Sequence, residues 1–147
     1  MNFKTYNFSE LTNQQLYDIL QLRSEVFVVE QDCVYQDIDG NDQISIHVLF
    51  YNKETLVVYA RILPPNTYFK QVSIGRIIVK ESSRGLDYGH KLMTFCIDFI
   101  RSKYNKNFIK ISAQEHLKPF YSQHGFIQTG DPYLEDGIPH IAMLANI

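Results

Sequence analysis

The chain has 147 residues and a formal net charge of −2, with 45% apolar and 20% charged residues. This balance is typical of a globular protein and excludes an intrinsically disordered chain, and the length fits one domain, residues 1–147. A general nucleic-acid-binding surface is also excluded, because such surfaces carry a strong basic excess.

The beginning of the chain and its cysteines indicate a cytoplasmic protein. Residues 1–10 contain no apolar signal-peptide core, and no run approaches the ~20 apolar residues that span a bilayer. Two cysteines, Cys33 and Cys96, are too few for a disulfide framework in a chain that can build a full core. We therefore expect free thiols and neither a membrane nor a nucleic-acid partner. The sequence leaves the oligomeric state open, a homodimer included.

The first half of the chain predicts a strand, a helix and a β-hairpin. Thr12 with Gln15 three residues later forms a capping box, which starts a helix that carries apolar residues as far as Phe27. A polar, acidic stretch follows over residues 30–43. Pro64 ends the hairpin, because proline cannot continue a central ladder. The predicted strands are 3–8, 44–51 and 56–63.

The second half alternates strands with helices. The helix predicted over 91–104 carries apolar residues on more than one stripe, which indicates that it is largely buried. Strand–helix–strand units that follow a hairpin predict an α/β fold, in which a mixed sheet has helices on both faces. The predicted strands are 72–79, 108–113, 126–128 and 140–145, with a loop over 82–90 and a short helix over 117–124.

The segment VSIGRIIVKESSRGLDYGHKLM, residues 72–93, carries the strongest functional signal. It runs from a strand through a short loop with an arginine and two glycines into a helix. Backbone N–H groups at a helix start bind anions, and glycines let a phosphate approach the backbone closely. Arg84 and Lys91 are placed to add charge-assisted hydrogen bonds. Taken alone, the same pattern also fits an ordinary strand-to-helix loop.

A second segment, PFYSQHGF, occupies residues 119–126. The pair resembles the two central motifs of the GNAT N-acetyltransferases, a pyrophosphate loop and a Phe-Tyr-x-x-x-Gly-Phe element. The segments LRSEVFVVEQDCVYQDIDGND, YARIL, IGRIIV and LEDGIPHIAM narrow the resemblance to the ElaA-like subgroup. The resemblance spans essentially the whole chain and implies the GNAT fold, a single domain whose central mixed sheet splays between its fourth and fifth strands.

The resemblance implies acetyl-coenzyme A as the cosubstrate and assigns residues to it. The strand before the loop should pair with the pantetheine amides, and the loop and helix start should surround the pyrophosphate. Gln114 falls where many members have a coenzyme-binding asparagine, whereas Asp87 stands where the motif usually has a glycine. The implied coenzyme-binding residues are Ile77, Ile78, Val79, Arg84, Gly85, Asp87, Tyr88, Gly89, His90, Lys91, Gln114, Phe120 and Tyr121.

The resemblance also implies catalytic residues. Tyr121 matches the tyrosine that faces the coenzyme sulfur in many members. With a phenol pKa of ~10 against ~8.5 for a thiol, it should donate a hydrogen bond to the departing sulfur rather than a proton. The strand glutamate that often serves as base is absent, since Gly75 and Arg76 stand there. We expect His116 to be the base, with His140 as second choice. No residues have the spacing of a metal site.

Three arginines in the predicted helix and strands, Arg23, Arg61 and Arg76, need acidic partners if they are buried. The candidate partners are Asp37, Asp39, Glu25 and Glu30. Two interpretations remain open: a structural ion-pair network, or a rim that binds a substrate carboxylate or amine. On the second interpretation the substrate residues are Arg23, Phe27, Asp37, Asp39, Arg61, Arg76 and His140.

The resemblance implies acetylation of a primary amine, on an amino-acid-like small molecule or a peptide N-terminus. Without a strand glutamate a low-pKa amine is favoured, because roughly 14% of an amine of pKa ~7.8 is neutral at pH 7 against about 0.04% at pKa ~10.4. Two alternatives stay open. LRSEVF and QDIDGND are similar to elements of acyl-homoserine lactone synthases, which use an acyl carrier protein and S-adenosylmethionine. The missing glutamate also fits a sensor that binds acetyl-coenzyme A without turnover.

Overall fold

A computed structural model describes residues 1–105 and 108–147. These residues form seven strands, three α-helices, one π-helical segment and several 3₁₀ turns. The strands are β1 (Lys4–Asn7), β2 (Ile46–Asn52), β3 (Thr55–Leu63), β4 (Ser73–Val79), β5 (Phe108–Gln114), β6 (Phe126–Glu135) and β7 (Ile138–Asn146). The helices are α1 (Asn13–Arg23), α2 (Tyr88–Tyr104) and α3 (Lys118–Ser122), and the π-helical segment is Ser24–Glu30.

The sheet is split in two, as the resemblance implies. The first half is antiparallel in the order β1-β2-β3-β4, and the second is antiparallel in the order β5-β7-β6. A parallel bridge between Val72 and Ile109 joins the halves, and the Lys110 N–H donates to the Val72 carbonyl at 3.0 Å. Beyond this bridge β4 and β5 show no further pairing among the described residues. The mixed, splayed sheet of the GNAT fold is therefore confirmed.

Helices cover both faces of the first half-sheet. On one face α2 places Leu92, Met93 and Cys96 into the main core, which the second half-sheet shares through Ile111 and Met143. On the other face α1 packs Ile19 and Leu22 against Leu49 of β2 and Tyr59 of β3. The broadly apolar sequence of α2 explains its central position, since a helix that is apolar on more than one stripe must be covered on more than one side.

Cys33 and Cys96 are both buried free thiols, as expected, and burial raises the pKa of the Cys96 thiol well above its usual range. None of the helices in residues 1–105 and 108–147 combines the length and the apolar character needed to cross a membrane.

The first helix is shorter than the sequence predicts. The capping box of Thr12 and Gln15 is present, but regular α-helix ends at Arg23 and the chain continues as the π-helical segment. This segment, SEVFVVE, contains three β-branched valines, which disfavour α-helix because their χ1 rotation is restricted. The segment brings Phe27 and Glu30 to the cleft between the half-sheets, in keeping with the tendency of π-helical turns to occur at functional sites.

A β-bulge in β4 corrects the predicted face of Arg76. Strict alternation would place Arg76 with Ile74 on the face that packs against α2. Instead Gly75 pairs with Arg61 and Ile78 with Tyr59, so that Arg76 and Ile77 together oppose Ala60. Arg76 has a φ of +51°, which is uncommon for a residue with a side chain. The bulge turns the arginine toward the π-helical segment, where its guanidinium lies 6.0 Å from the Phe27 ring centroid.

Other boundaries also differ from the predictions. α2 begins at Tyr88 rather than 91, so the predicted loop is shorter, and β2 begins at Ile46 because Asp42–Ile44 forms a 3₁₀ turn. β6 runs to Glu135, although the sequence predicts only residues 126–128 of it. Residues 130–132 interrupt its pairing with β7, and the pairing resumes at Tyr133. Pro132 within this interruption hides the strand pattern, since proline inside a run argues against a strand.

Candidate active site

A cleft of about 910 Å³ opens where β4 and β5 diverge. It is bordered by the π-helical segment, the start of α2, the turn before α3 and the β6–β7 hairpin. Its volume lies in the upper part of the range for small-molecule and cofactor sites. The predicted site residues that border it are Phe27, Asp39, Arg61, Arg76, Ile77, Ile78, Val79, Arg84, Gly85, Asp87, Tyr88, Gly89, His90, Gln114, His116, Phe120, Tyr121 and His140. Arg23, Asp37 and Lys91 are not among the lining residues.

The start of α2 faces one end of the cleft with free backbone donors. The N-cap residue Asp87 has a φ of +65° and makes no side-chain capping bond. The first intrahelical bond runs from the Lys91 N–H to the Asp87 carbonyl at 3.2 Å, so the preceding N–H groups have no partner within the helix. Gly89 lies where a Cβ atom would come within 3.4 Å of the Phe120 ring. An uncapped start of a 17-residue helix is suited to bind an anion.

The guanidinium predicted to bind phosphate is already paired. Arg84 donates from Nη1 and Nη2 to the carboxylate of Glu30, at 2.8 and 3.0 Å, and from Nε to the Val79 carbonyl at 2.9 Å. Both side chains are substantially exposed, and exposed ion pairs contribute at most about 1 kcal/mol. The pair therefore holds Arg84 at the cleft but is weak enough to be exchanged for another anion.

Lys91 differs from the other predicted phosphate ligands. It is exposed, lies outside the cleft lining and places its ammonium 6.0 Å from the ring centroid of Tyr88. Because α2 begins at Tyr88, Lys91 lies a full turn into the helix. That Lys91 binds the pyrophosphate therefore stays a prediction.

Two histidines form a pair beside the helix start. His90 Nδ1 and His124 Nε2 lie 2.9 Å apart, and the Phe120 ring packs against both imidazoles. One of the two nitrogens must carry the proton of this contact. Burial, with the His90 charge added, lowers the pKa of His124 below its usual value. The pair therefore fixes the orientation of His90 at the cleft.

Strand β4 presents an edge without a sheet partner to the cleft. Its other edge pairs with β3, whereas beyond Val72 no described residue of β5 pairs with it. Ile77 and Val79 border the cleft along this stretch. An unpaired strand edge binds extended ligands that carry amides, because it offers free backbone donors and acceptors.

Tyr121 borders the cleft from α3. Its side chain is 6% exposed and packs edge-on against Phe120 and Phe126. Its hydroxyl has no hydrogen-bond partner among residues 1–105 and 108–147. Burial raises the pKa of the Tyr121 phenol well above its usual range, which keeps the phenol neutral and available as a donor.

The two other predicted polar residues at this end have different surroundings. Gln114 donates from Nε2 to the side-chain oxygen of Gln31 at 3.2 Å, which links β5 to the end of the π-helical segment. His116 lies in the exposed 3₁₀ turn Glu115–Leu117, and in the described part of the chain no group is hydrogen-bonded to its imidazole. His116 thus borders the cleft without a residue that orients it.

Behind the opposite wall of the cleft lies a buried ion-pair network. Arg23 is fully buried and donates to Asp42 at 2.6 Å, to the Asp37 carboxylate at 2.8 Å and to the Asp37 carbonyl at 3.0 Å. Arg61 donates to Asp42 at 2.8 Å and to both oxygens of Asp39 at 2.8 and 2.7 Å. Asp42 therefore joins the two buried arginines, although sequence reasoning did not name it as their partner.

The network corrects part of the predicted substrate rim. The guanidinium of Arg23 has no surface with which to contact a substrate, and Asp37 is taken up by Arg23, Arg76 and the Tyr35 hydroxyl. For these two residues the structural interpretation is therefore correct. The other suggested partners lie elsewhere, because Glu25 pairs with Lys80 and Glu30 with Arg84.

Arg76 and Asp39 remain accessible at the cleft. The Arg76 side chain is 21% exposed, with Nε and Nη2 held by Asp37 and its guanidinium near the Phe27 and Tyr35 rings. Within the described residues its Nη1 has no hydrogen-bond partner. Burial alone would raise the pKa of Asp39, but hydrogen bonds from Arg61 and Asn41 outweigh it and hold that pKa well below its usual range.

A polar cluster at the β6–β7 hairpin completes the cleft, and sequence reasoning missed most of it. Glu135 accepts hydrogen bonds from Tyr68 and, at 3.4 Å, from Ser112. Its second oxygen lies 3.3 Å from His140 Nε2, and His140 Nδ1 lies 2.7 Å from the Ile138 carbonyl. In the sequence, the only indication of a role for Glu135 is its position next to the turn at Asp136. The register between β6 and β7 is what directs its side chain to the cleft.

The described residues contain no candidate metal site. No group of three or more His, Cys, Asp or Glu side chains is arranged there to hold a metal ion. Of the histidines that border the cleft, His90 contacts His124, and His140 contacts a carbonyl and a carboxylate.

Comparisons with known proteins fit this arrangement. The family model for the acetyltransferase (GNAT) domain matches residues 8–146. Protein ElaA of Escherichia coli strain K12 is 42% identical over 149 residues, which cover 100% of this chain and 97% of that protein. The crystal structure of Escherichia coli ElaA (42% identity) and that of an acyl-CoA N-acyltransferase from Pseudomonas aeruginosa (38%) each superpose with a TM-score of 0.92 over 99% of both chains. The chain therefore belongs to the GNAT acetyltransferase family, in its ElaA-like subgroup, and is an acyltransferase.

Proposed function

We propose that this protein transfers the acetyl group of acetyl-coenzyme A to a primary amine, on an amino-acid-like small molecule or a peptide N-terminus. The observation that carries the proposal is one cleft that combines an uncapped helix start, an unpaired strand edge and a buried neutral tyrosine. The Pseudomonas aeruginosa relative is described as an acyl-CoA N-acyltransferase, which supports the same class of donor.

The residues present fit coenzyme A in two respects. The free N–H groups at the start of α2, together with Gly85 and Gly89, suit a pyrophosphate, and Arg84 can exchange Glu30 for it. The open edge of β4 at Ile77–Val79 suits the two amides of the pantetheine arm. The Asp87 side chain makes no capping bond, so it does not occupy the N–H groups that a phosphate would need.

The thioester of acetyl-coenzyme A supplies the activated acetyl group. Tyr121 donates a hydrogen bond where the sulfur leaves, and this bond strengthens as negative charge develops there. The phenol does not give up its proton, since burial raises the pKa of Tyr121 well above that of a thiol. The main role of Tyr121 is therefore electrostatic stabilisation.

The amine must be neutral when it attacks. Deprotonating an amine of pKa ~10.4 at pH 7 costs about 4.6 kcal/mol, whereas an α-amine of pKa ~7.8 costs about 1 kcal/mol. β4 carries Gly75 and Arg76 where a carboxylate base often stands, which favours the α-amine. The free Nη1 of Arg76 is suited to a carboxylate beside that amine, and this supports an amino acid as acceptor.

The proposal is tested by release of coenzyme A thiol over a panel of free amino acids, their amides, short peptides and N-blocked lysine. We expect thiol release that depends on the amine, with a higher kcat/KM for α-amines than for N-blocked lysine. Preference for N-blocked lysine over every α-amine would contradict the acceptor class. Binding of acetyl-coenzyme A without turnover of any amine would instead support a sensor, and turnover only with acyl carrier protein and S-adenosylmethionine would support a synthase of the lactone type.

A further inference from the structure

Most carboxylates that border the cleft are engaged by cations or lie at the phosphate end. Glu30 is paired with Arg84, and Asp39 is paired with Arg61 through both oxygens. Asp87 is the N-cap residue of α2, at the end suited to phosphate. A carboxylate held by arginine is a poor proton acceptor, because the positive charge stabilises its ionised form. Glu30 and Asp39 are therefore unsuited to deprotonate an amine, Asp87 lies at the phosphate end, and Asp136, which also borders the cleft, is exposed in the β6–β7 turn.

Glu135 is held in a different way. It accepts from the Tyr68 hydroxyl, which belongs to the connection between β3 and β4, and from the Ser112 hydroxyl on β5. Donors from both half-sheets therefore fix its carboxylate at the cleft, and its side chain is 36% exposed. Among the described residues no lysine or arginine pairs with Glu135. Lys110 lies on the same face of β5 as Ser112, but its ammonium is placed 5.0 Å from the Phe69 ring centroid.

His140 on β7 lies beside this carboxylate. Its Nδ1 faces the Ile138 carbonyl, which can only accept, so Nδ1 carries a proton. This contact fixes the ring and leaves Nε2 as the acceptor nitrogen of the neutral imidazole, 3.3 Å from Glu135, while Tyr133 stacks on the ring. The groups that face Glu135 are thus two tyrosines, one serine and one histidine, none of which carries a permanent charge.

We propose that Glu135 is the catalytic base of this cleft: its carboxylate, held by the Tyr68 and Ser112 hydroxyls, receives the acceptor ammonium and takes its first proton. The inference rests on the proposed function and deepens it, because it assigns the ammonium subsite. It also explains how a chain without a carboxylate on β4 supplies a base, since Glu135 reaches the same cleft from the opposite half-sheet.

The proton balance of the step is simple. One ammonium proton passes to Glu135 and stays there while the amine nitrogen forms the C–N bond and the C–S bond breaks, and Glu135 releases it to solvent afterwards. The second proton leaves the nitrogen and ends on the sulfur beside Tyr121. The ammonium and the thioester thus give an amide, a thiol and one free proton, without any further reactant.

The experiment compares Glu135→Gln with wild type, using the best amine of the panel and acetyl-coenzyme A. We expect kcat/KM at pH 7 to fall roughly 100-fold, as for loss of a general base. Below the amine pKa of ~7.8 the wild-type kcat/KM should be flat with pH, whereas that of the variant should rise about tenfold per pH unit, because it needs amine that is already neutral. Calorimetry of the amine with protein saturated with coenzyme A should show binding weakened about tenfold or more, with unchanged affinity for acetyl-coenzyme A.

Controls separate this role from folding and from the proposed function. Glu115→Gln removes an exposed carboxylate beside the cleft and should leave all four quantities unchanged. Glu135→Asp keeps a carboxylate and should retain the flat pH profile at reduced rate, which covers the case of an unstable glutamine variant. A glutamine variant that keeps more than a third of wild-type kcat/KM and the wild-type pH profile would overturn the proposal, as would a larger loss in His116→Asn. Wild-type protein inactive toward every amine would instead count against the proposed function itself.

Discussion

Two arginine sites lie on either side of the cleft, and they differ in what surrounds them. Arg23 and Arg61 are buried, and their carboxylate partners Asp37, Asp39 and Asp42 come from one segment of the chain. Arg84 is largely exposed, and its partner Glu30 comes from the end of the π-helical segment. The comparison teaches that an exchangeable partner makes an arginine near a cleft available to a ligand.

Burial decides how exchangeable each pair is. Removing one partner of a buried ion pair typically costs about 3–5 kcal/mol, because the other charge stays desolvated and unpaired. An exposed pair contributes about 0–1 kcal/mol, since water competes for both groups. The first site is therefore part of the framework that shapes the cleft, and the second can release its arginine to a bound anion.

The largest effect is expected when the buried network is broken by Asp42→Asn. This substitution removes the carboxylate that Arg23 and Arg61 share, so the free energy of unfolding should fall by about 3–5 kcal/mol. The matched control is Asp98→Asn, which breaks the exposed pair with Arg101 and should change it by less than about 0.5 kcal/mol. Urea denaturation of both variants and wild type measures the difference, and equal stabilities would show that the network is dispensable.

The same variant should also change the pH dependence of stability. Burial alone would raise the pKa of Asp42, but Arg23 and Arg61 outweigh it and hold that pKa below its usual value. A carboxyl with a depressed folded-state pKa contributes stability above its unfolded pKa of ~3.9, and that contribution is lost as pH falls through the folded pKa. Wild-type stability should therefore drop more steeply below about pH 4 than that of Asp42→Asn.

A smaller effect is expected at the reacting end of the cleft, from Tyr121→Phe. The loss of one hydrogen bond made mainly in the transition state should lower kcat roughly 100-fold, with little change in the KM for acetyl-coenzyme A. Tyr104→Phe, in the last turn of α2 and outside the cleft lining, is the control. Thiol-release kinetics provide the measurement. If kcat stays within twofold of wild type, Tyr121 is a packing residue.

Local signals in the sequence predicted much of the fold and one end of the cleft. Thr12 and Gln15 specify the start of α1 through bonds three residues apart, and Pro64 follows the last residue of β3. Residues 84–90 and Tyr121 fall in contiguous motifs, so each could be assigned from its immediate neighbours. Such features depend on contacts that are close along the chain.

The remaining features depend on register and on distant contacts. Arg76 faces the π-helical segment because a bulge shifts β4 by one residue, and a strict period of two cannot show that. Glu135 points into the cleft because β6 and β7 resume pairing after residues 130–132, and Asp42 meets Arg61 across 19 residues of sequence. The sequence offers several carboxylates as partners for each arginine, and only the folded structure shows which of them are buried beside it.

The most direct test of the central claim is calorimetric titration of acetyl-coenzyme A into wild type, Arg84→Ala and Glu30→Gln. If the loop before α2 binds the pyrophosphate, Arg84→Ala should weaken binding about 10- to 100-fold, because it removes charge-assisted hydrogen bonds. Glu30→Gln should tighten binding by up to about fivefold, since it releases Arg84 from a competing carboxylate worth at most about 1 kcal/mol. Unchanged affinity in a folded Arg84→Ala protein would contradict the account.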